Sequence, residues 1–314
     1  MLELLKKLTP IYRSITGKGN LQTLKYLKSL DNKLKIKYFK SGEKVFDWKV
    51  PLEWKIKDAY IITPDNKKIC DFKKNNLHLM AYSKKIKKIL PLQELQKNLY
   101  SLKKLPNAIP YVTSFYKKNW GFSIEHHKRE KLKSGNYKII VDSEFIKGKM
   151  YYGEILIKGK LKKEILFSTY ICHPQMANNE TSGPVLAFYL SQFLKKKKRR
   201  YSYRIVFTSE TIGSIAYLNK NFQSLKNNLL AGYILTCVGD EKCFSFLPSR
   251  TGDTLSDKYA LKIFKKIKLR KKYYTWLDRA SDERQYCSPG IDLPISSIMR
   301  SKYGSYKEYH TSLD

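Results

Sequence analysis

The tightest constraint on this chain is the stretch Glu164 to Pro184, EILFSTYICHPQMANNETSGP. EILFSTYI is a short apolar run rich in β-branched and aromatic residues, which suits a strand buried on both faces of a sheet. The run ends at Cys172, His173 and Pro174, so such a strand delivers a histidine to the carboxyl edge of its sheet. Open α/β sheets bind their ligands at that edge. After a polar turn, PVLAFYLSQFL has helical apolar spacing, with Pro184 suited to a first helical turn. Strand, histidine, polar turn and helix together read as a site.

The remaining chain supplies the layers such a strand needs. After Gly135, YKIIVDS and YGEILIKG read as a hairpin, YSYRIVFTS as the strand after the first helix, and LLAGYILTCVG as another buried strand. LPISSIM is a further strand, and helices are expected from about Ile212 and over DTLSDKYALKIFKKI. Strands alternating with helices imply an α/β fold, a three-layer α/β/α sandwich on a mostly parallel sheet. Leu2–Leu8 and NLQTLKYLKSL read as two amino-terminal helices, with no strand expected beside them. From about 42 to 132, short apolar runs alternate with prolines and turns, so this part reads as a small β-rich inserted domain. The main domain is then discontinuous, 1–41 and 133–314.

Charge raises the question of an anionic partner. The 314 residues carry a formal net charge of +35. Ten of the 62 basic residues are arginine and 52 are lysine, spread from end to end, whereas phosphate and base recognition favours arginine. The densest run, Lys195 to Arg200 (KKKKRR), falls at a helix end where cations favour the dipole. A solvated surface is the expectation, without a nucleic-acid or membrane partner. No stretch reaches the ~20 apolar residues that span a bilayer. Five cysteines without CxxC spacing argue against a disulfide framework and for a reducing, cytoplasmic location.

Polar residues at strand ends are the chemical candidates. His173 ends one strand, Glu210 a second, and Asp240 and Glu241 a third; ASDERQY (280–286) and YHTSLD (309–314) come late in the chain. Two histidines and several carboxylates at one edge make a ligand set for zinc, with a carboxylate left to act as base. A base is needed because zinc-bound water must pass its proton to a leaving amine. Taken singly, Glu210 also suits a helix start, Asp282 a cap and His310 a core position.

These residues carry a resemblance. RSITGKG (13–19), FDWKVPLEW (46–54), STYICHP (168–174), ETIGS (210–214), SRTGDTLSD (249–257), SDERQYCSPGIDLP (281–294) and YHTSLD (309–314) resemble an aminopeptidase-like family of the di-zinc exopeptidase superfamily, often associated with polysaccharide biosynthesis. The resemblance implies the same sandwich with an inserted domain. It also implies a winged-helix-like domain beyond the last motif, which is expected to be absent here. His173 matches the first metal histidine and His310 the last. Glu210 matches the general base of a Glu-Glu-x-Gly pattern whose second glutamate is Thr211 here, and the strand-end aspartate is Thr236. Asp282 matches the aspartate of a Ser-Asp-His segment, with Glu283 in the histidine's place. Asn179 stands where an aspartate bridges two metals, and its neutral carbonyl is a far weaker ligand.

The resulting expectation is a zinc-dependent hydrolase releasing an amino-terminal or aminoacyl group, with one zinc ion rather than two. His173, Asn179 and His310 are the metal residues; Glu210, Asp282 and Glu283 are catalytic. Arg13, Arg250, Arg284 and Tyr309 are expected to contact a peptide, aminoacyl or amino-sugar substrate. The alternative is a non-catalytic binding protein in glycan assembly.

Overall fold

The computed structural model describes residues 1–314. Two amino-terminal helices, α1 (Leu2–Leu8) and α2 (Lys18–Leu30), precede β1 (Lys35–Lys40). The strand β1 was not expected. Its sequence KIKYFK alternates apolar and basic residues, the pattern of a solvated edge strand, and it pairs antiparallel with β5 (Lys149–Ile157).

Between them lies a second, smaller sheet. Its strands β2 (Glu53–Ile62), β3 (Ile86–Pro91) and β4 (Asn136–Ile146) pair antiparallel around β4, with a two-residue strand Lys68–Ile69 at the edge. Trp54, Tyr82, Phe122, Tyr137 and Ile139 fill its own core. The expected hairpin is therefore not formed. YKIIVDS lies in β4 and YGEILIKG in β5, and the chain changes sheets at Gly148, so the small sheet extends past residue 132. A Cβ on Gly148 would meet Glu53 Oε2 at 2.3 Å.

The large sheet continues with β6 (Glu164–Tyr170), α3 (Ser182–Lys195), β7 (Ser202–Thr208), α4 (Ile212–Asn228) and β8 (Leu229–Leu235). Next come β9 (Phe244–Leu247), α5 (Leu255–Lys266), β10 (Lys271–Tyr273), the short α6 (Glu283–Tyr286) and β11 (Ile295–Met299). Strand order is β1-β5-β7-β6-β8-β11-β9-β10. The four central strands are parallel, β9 runs antiparallel to β11, and β1 and β5 are antiparallel at the other side.

Both faces are covered. Leu4, Leu8, Leu24 and Leu27 of α1 and α2 pack with Val185 and Phe188 of α3 over Ile155, Ile205 and Phe207. Ala216, Tyr217 and Leu225 of α4 pack on the opposite face with Leu166, Val206 and Ile234. A helix-spaced stripe buries one side only, which is why these segments form layers. At the start of α3 only glycine fits. A Cβ on Gly183 would lie 2.4 Å from Leu235 O and from Thr169 Oγ1, so the helix start sits directly against the strand ends. No helix is long and apolar enough to cross a membrane.

Candidate metal centre

The carboxyl edge of β6 places His173 by two supports. The chain leaves the strand through Gln175 at φ 47° and enters a π-helical turn, Ala177–Thr181, that continues into α3. Wide turns of this kind recur at functional sites. This one points Asn179 and Glu180 inward together, since both are 1 % exposed. His173 Nδ1 donates to Glu180 Oε2 at 2.9 Å. Behind it, Arg13 Nε lies 3.5 Å from Glu180 Oε1 and donates to the His173 carbonyl at 3.1 Å. The carboxylate on Nδ1 selects the tautomer whose Nε2 faces the site, as second-shell carboxylates do for metal-binding histidines. Burial would lower the His173 pKa, but Cys172 and Glu180 outweigh it and raise it. A metal ion at Nε2 therefore competes with a proton.

Glu210 ends β7 and faces Nε2, with Oε2 3.6 Å away. Ser281 Oγ donates to its Oε1 at 2.5 Å and fixes the rotamer. Burial pushes this carboxyl above the usual carboxylate range. Thr211 follows at φ 53°, a strained position for a β-branched residue, and its N–H donates to Asp282 Oδ1 at 2.6 Å. Ser214 Oγ donates to the same oxygen at 3.1 Å, so Asp282 holds the start of α4.

His310 closes the opposite side. Its ring centroid is 5.4 Å from that of His173, Tyr309 stacks on it at 3.9 Å, and its Nε2 is buried without a partner. Burial, and then the charge of His173, push its pKa down to about 3, so it is a neutral imidazole with a free lone pair. Tyr111 reaches in from the chain between β3 and β4 and sets its ring edge-on to both histidines, at 5.4 and 5.1 Å. Its N–H donates to the His310 carbonyl at 2.8 Å.

Asn179 sits in a ring of hydrogen bonds. Its amide N–H donates to the Tyr170 hydroxyl at 2.8 Å, Tyr170 bonds Thr236, and the Thr236 hydroxyl returns to the Asn179 carbonyl at 3.1 Å. Asn179 Oδ1 is left buried without a partner. The two carboxylate positions that are threonine are thus occupied otherwise, Thr211 by Asp282 and Thr236 by this ring.

Several expected roles need correction. Arg13 is 2 % exposed and spent on Glu180, His173, Leu8 and Thr181, so it cannot meet a substrate. Glu283 is fully buried and accepts from Ala280 N, Ser281 N, Tyr303 Oη and Ser297 Oγ, which leaves it no capacity for catalysis. Asp282 is also fully buried, and its role is to cap α4. Arg250 pairs with Asp292 at 2.6 Å on the surface, and Arg284 is exposed to solvent from α6. Tyr309, by contrast, lines the histidines.

Glu180 and Ser281 were given no role from the sequence, and Tyr111 was not anticipated. Glu180 and Ser281 adjoin expected residues, so only side-chain direction was missing. Tyr111 carries no local signal, because its place depends on pairing Pro110 with Thr311 across the chain.

One group of side chains meets the spacing of a metal site. Ligand atoms of Cys172, His173 and Glu180 lie within 4.8 Å of one another. An ion there would replace the His173–Glu180 hydrogen bond, and burial pushes the Cys172 thiol up to about 11, far from a ready thiolate. On the other side of the ring, Glu210 Oε2 lies 3.6 Å from His173 Nε2, and His310 Nε2 and Asn179 Oδ1 are buried without a partner.

Comparison with known proteins shows the fold and the family. The chain is 44% identical over 313 residues to a polysaccharide biosynthesis protein with aminopeptidase-like domain from Clostridium acetobutylicum, covering 99% of this chain and 71% of that one. A crystal structure from the same organism, described as that of a putative peptidase, superposes with a TM-score of 0.95 at 43% identity, over 99% of this chain and 73% of that one. BSAP, a zinc aminopeptidase from Bacillus subtilis, shares the fold at a TM-score of 0.66 and 12% identity, over 98% and 88% of the two chains. The aminopeptidase from Aneurinibacillus sp. strain AM-1 does so at 0.59 and 12%, over 99% and 86%. The model of the domain of unknown function DUF4910 matches residues 2–314, and the chain is a member of that aminopeptidase-like family.

Proposed function

We propose that the chain is an aminopeptidase-like hydrolase that works with a single zinc ion and releases an amino-terminal or aminoacyl group. The observation that carries the reading is the pair His173 and His310, with rings 5.4 Å apart and one Nε2 buried and unpartnered. His173 Nε2, His310 Nε2 and Asn179 Oδ1 would hold the ion, which supplies Lewis acidity toward a carbonyl and acidifies a water.

The protein's own groups do the rest. Glu180, backed by Arg13, fixes the His173 ring. Glu210 takes and returns the proton at Oε2, since burial raises its carboxyl and Ser281 holds only Oε1. Tyr111 and Tyr309 wall the histidines from bulk water. The neutral amide at Asn179 and the threonines at 211 and 236 replace three expected carboxylates, which supports one ion over two. The similarity to a polysaccharide biosynthesis protein points to aminoacyl or amino-sugar compounds beside peptides as substrates.

The test is zinc stoichiometry together with turnover of an aminoacyl-anilide panel by wild type and Glu210→Gln. One zinc per chain in both proteins, with turnover only in wild type, is the expected result. Turnover that survives Glu210→Gln, or zinc retained after His173→Ala and His310→Ala, overturns the assignment.

A further inference from the structure

The amino edge of the parallel strands carries a feature that this reading does not use. Two loops enter adjacent strands there, residues 158–163 before β6 and 195–200 before β7. Of these twelve residues ten are cationic and none is acidic. The loops are joined rather than merely near. Lys160 N–H donates to Arg199 O at 3.1 Å, Leu161 N–H to Arg200 O at 2.8 Å, and Gly159 N–H to Ser202 Oγ at 3.1 Å. Arg199 braces the second loop by donating to the carbonyls of Leu194, Lys195 and Lys197. The nearest carboxylates are already engaged, Glu164 by Arg204 and Asp31 by Lys195. Lys158, Lys160, Lys162, Lys196, Lys198 and Arg200 thus stand exposed on one braced surface.

Apolar side chains project from the same surface. Leu161 is 42 % exposed at the tip of the first loop, and Phe193 is 57 % exposed at the end of α3, beneath the Lys197 ammonium at 5.1 Å. We propose that these two joined loops form a docking surface for an anionic lipid bilayer. Lysine-rich loops with exposed leucine and phenylalanine match an interface where ammonium groups meet lipid phosphates and short apolar side chains enter the headgroup layer. Nucleic acid is less well matched, because Arg199 is spent on carbonyls and the other exposed cations are lysines apart from Arg200. Read from sequence alone, the 195–200 run was a solvated helix end. Its pairing with a second basic loop is the tertiary fact that changes the reading.

The orientation follows from the topology. His173 and Glu210 leave the carboxyl ends of β6 and β7, whereas the loops enter at their amino ends. A seven-residue strand spans roughly 23 Å at about 3.3 Å per residue. A chain docked by these loops turns its metal centre toward the aqueous phase, so the substrate arrives from solution.

Flotation of the full chain with phosphatidylcholine vesicles, with and without about 30% phosphatidylglycerol, tests this at low and physiological salt. Binding to the mixed vesicles alone is expected. The variant carrying Lys160→Glu, Lys162→Glu, Lys196→Glu and Lys198→Glu should bind roughly 100-fold more weakly. A control of equal net charge, with Lys103→Glu, Lys104→Glu, Lys117→Glu and Lys118→Glu, should stay within about threefold of wild type. Leu161→Ser, a single exposed change, should weaken binding by roughly threefold to tenfold and carries the test should the quadruple variant melt early. Equal losses in both quadruple variants would show net charge alone at work and overturn the proposal. So would a wild-type chain that binds RNA homopolymer but no vesicle.

Discussion

Arg13 and Glu180 form an ion pair with both side chains at most 1 % exposed, 3.5 Å apart, directly behind the imidazole of His173. Burial lowers the Arg13 pKa, and Glu180 opposes that shift. Removing one member of a buried pair leaves an uncompensated charge and typically costs ~3–5 kcal/mol. Arg13→Met should therefore lose about that much in urea denaturation. The double variant Arg13→Met, Glu180→Gln should recover much of the loss yet bind zinc ~10–100-fold more weakly than wild type, the usual cost of removing an outer-shell carboxylate. Unchanged zinc affinity in the double variant would mean that Glu180 does not orient His173.

Asn179 stands where the resemblance implies a metal-bridging aspartate, and its Oδ1 is buried without a partner. Asn179→Asp replaces a neutral donor with a charged one beside Tyr170, whose hydroxyl can turn to donate to it. Zinc affinity, measured by competition with a chelating dye, should rise by roughly tenfold or more. No rise would place Oδ1 outside the ligand set.

Asp282 gives a pH-dependent prediction. Burial and then Glu210 raise its pKa well above the ordinary 3.8, and its Oδ2 is buried without a partner. A raised folded pKa penalises the charged form. The penalty is absent below the unfolded pKa and grows as pH rises through that value toward the folded one. Asp282→Asn keeps the Oδ1 cap to Thr211 and Ser214 without the charge, so it should be more stable than wild type at neutral pH by about 1–3 kcal/mol. The gain should vanish below about pH 3.8. Denaturation midpoints at several pH values decide it, and a variant less stable at neutral pH refutes the argument.

A second pH effect lies inside the large sheet. Arg204 Nη1 meets Glu154 at 2.9 Å and its Nε meets Glu164 at 2.6 Å, and Tyr217 donates to Glu154 at 2.9 Å. Burial pushes the Glu154 carboxyl up, but Arg204, Lys37 and Tyr217 outweigh it and hold it below 4.5. A depressed folded pKa contributes stability above the unfolded value, and that stability is lost as pH falls through the folded pKa. Wild type should lose stability steeply below pH 4.5, and Glu154→Gln should flatten that slope while costing ~3–5 kcal/mol at neutral pH. An unchanged acid slope in the variant would assign the acid loss to other carboxylates.

What the sequence revealed and what it hid divide along physical lines. The positions of His173 and Glu210 just past strand ends were legible because periodicity locates the strands, whereas His310 was read from the YHTSLD motif alone. Asn179 was legible by its departure from a motif. Glu180 was passed over because neighbours in an ordinary turn diverge, whereas a π-helical turn brings residues 179 and 180 inward together. Arg13 looked like a substrate contact because its buried partner lies far along the chain. The hairpin misreading around Gly148 has the same origin. Alternation predicts strands but does not say which sheet each strand joins.

Tyr111 is the residue that only tertiary structure could supply, and it yields the most direct test of the inserted segment's role. Its backbone pairs with His310, and its ring is edge-on to both histidines, so it ties the segment between β3 and β4 to His173 and His310. Tyr111→Phe keeps the ring and the backbone bond and should leave zinc affinity and turnover within about threefold of wild type. Tyr111→Ala removes the wall between two imidazoles and solvent, and a large-to-small change at a packed aromatic costs up to ~3–5 kcal/mol. Zinc affinity should fall roughly tenfold, because His310 loses a support comparable to an outer-shell contact. Isothermal titration with zinc on the three proteins separates the cases. If alanine matches phenylalanine, the segment merely covers the site. If alanine alone loses affinity, the inserted domain helps to build the site.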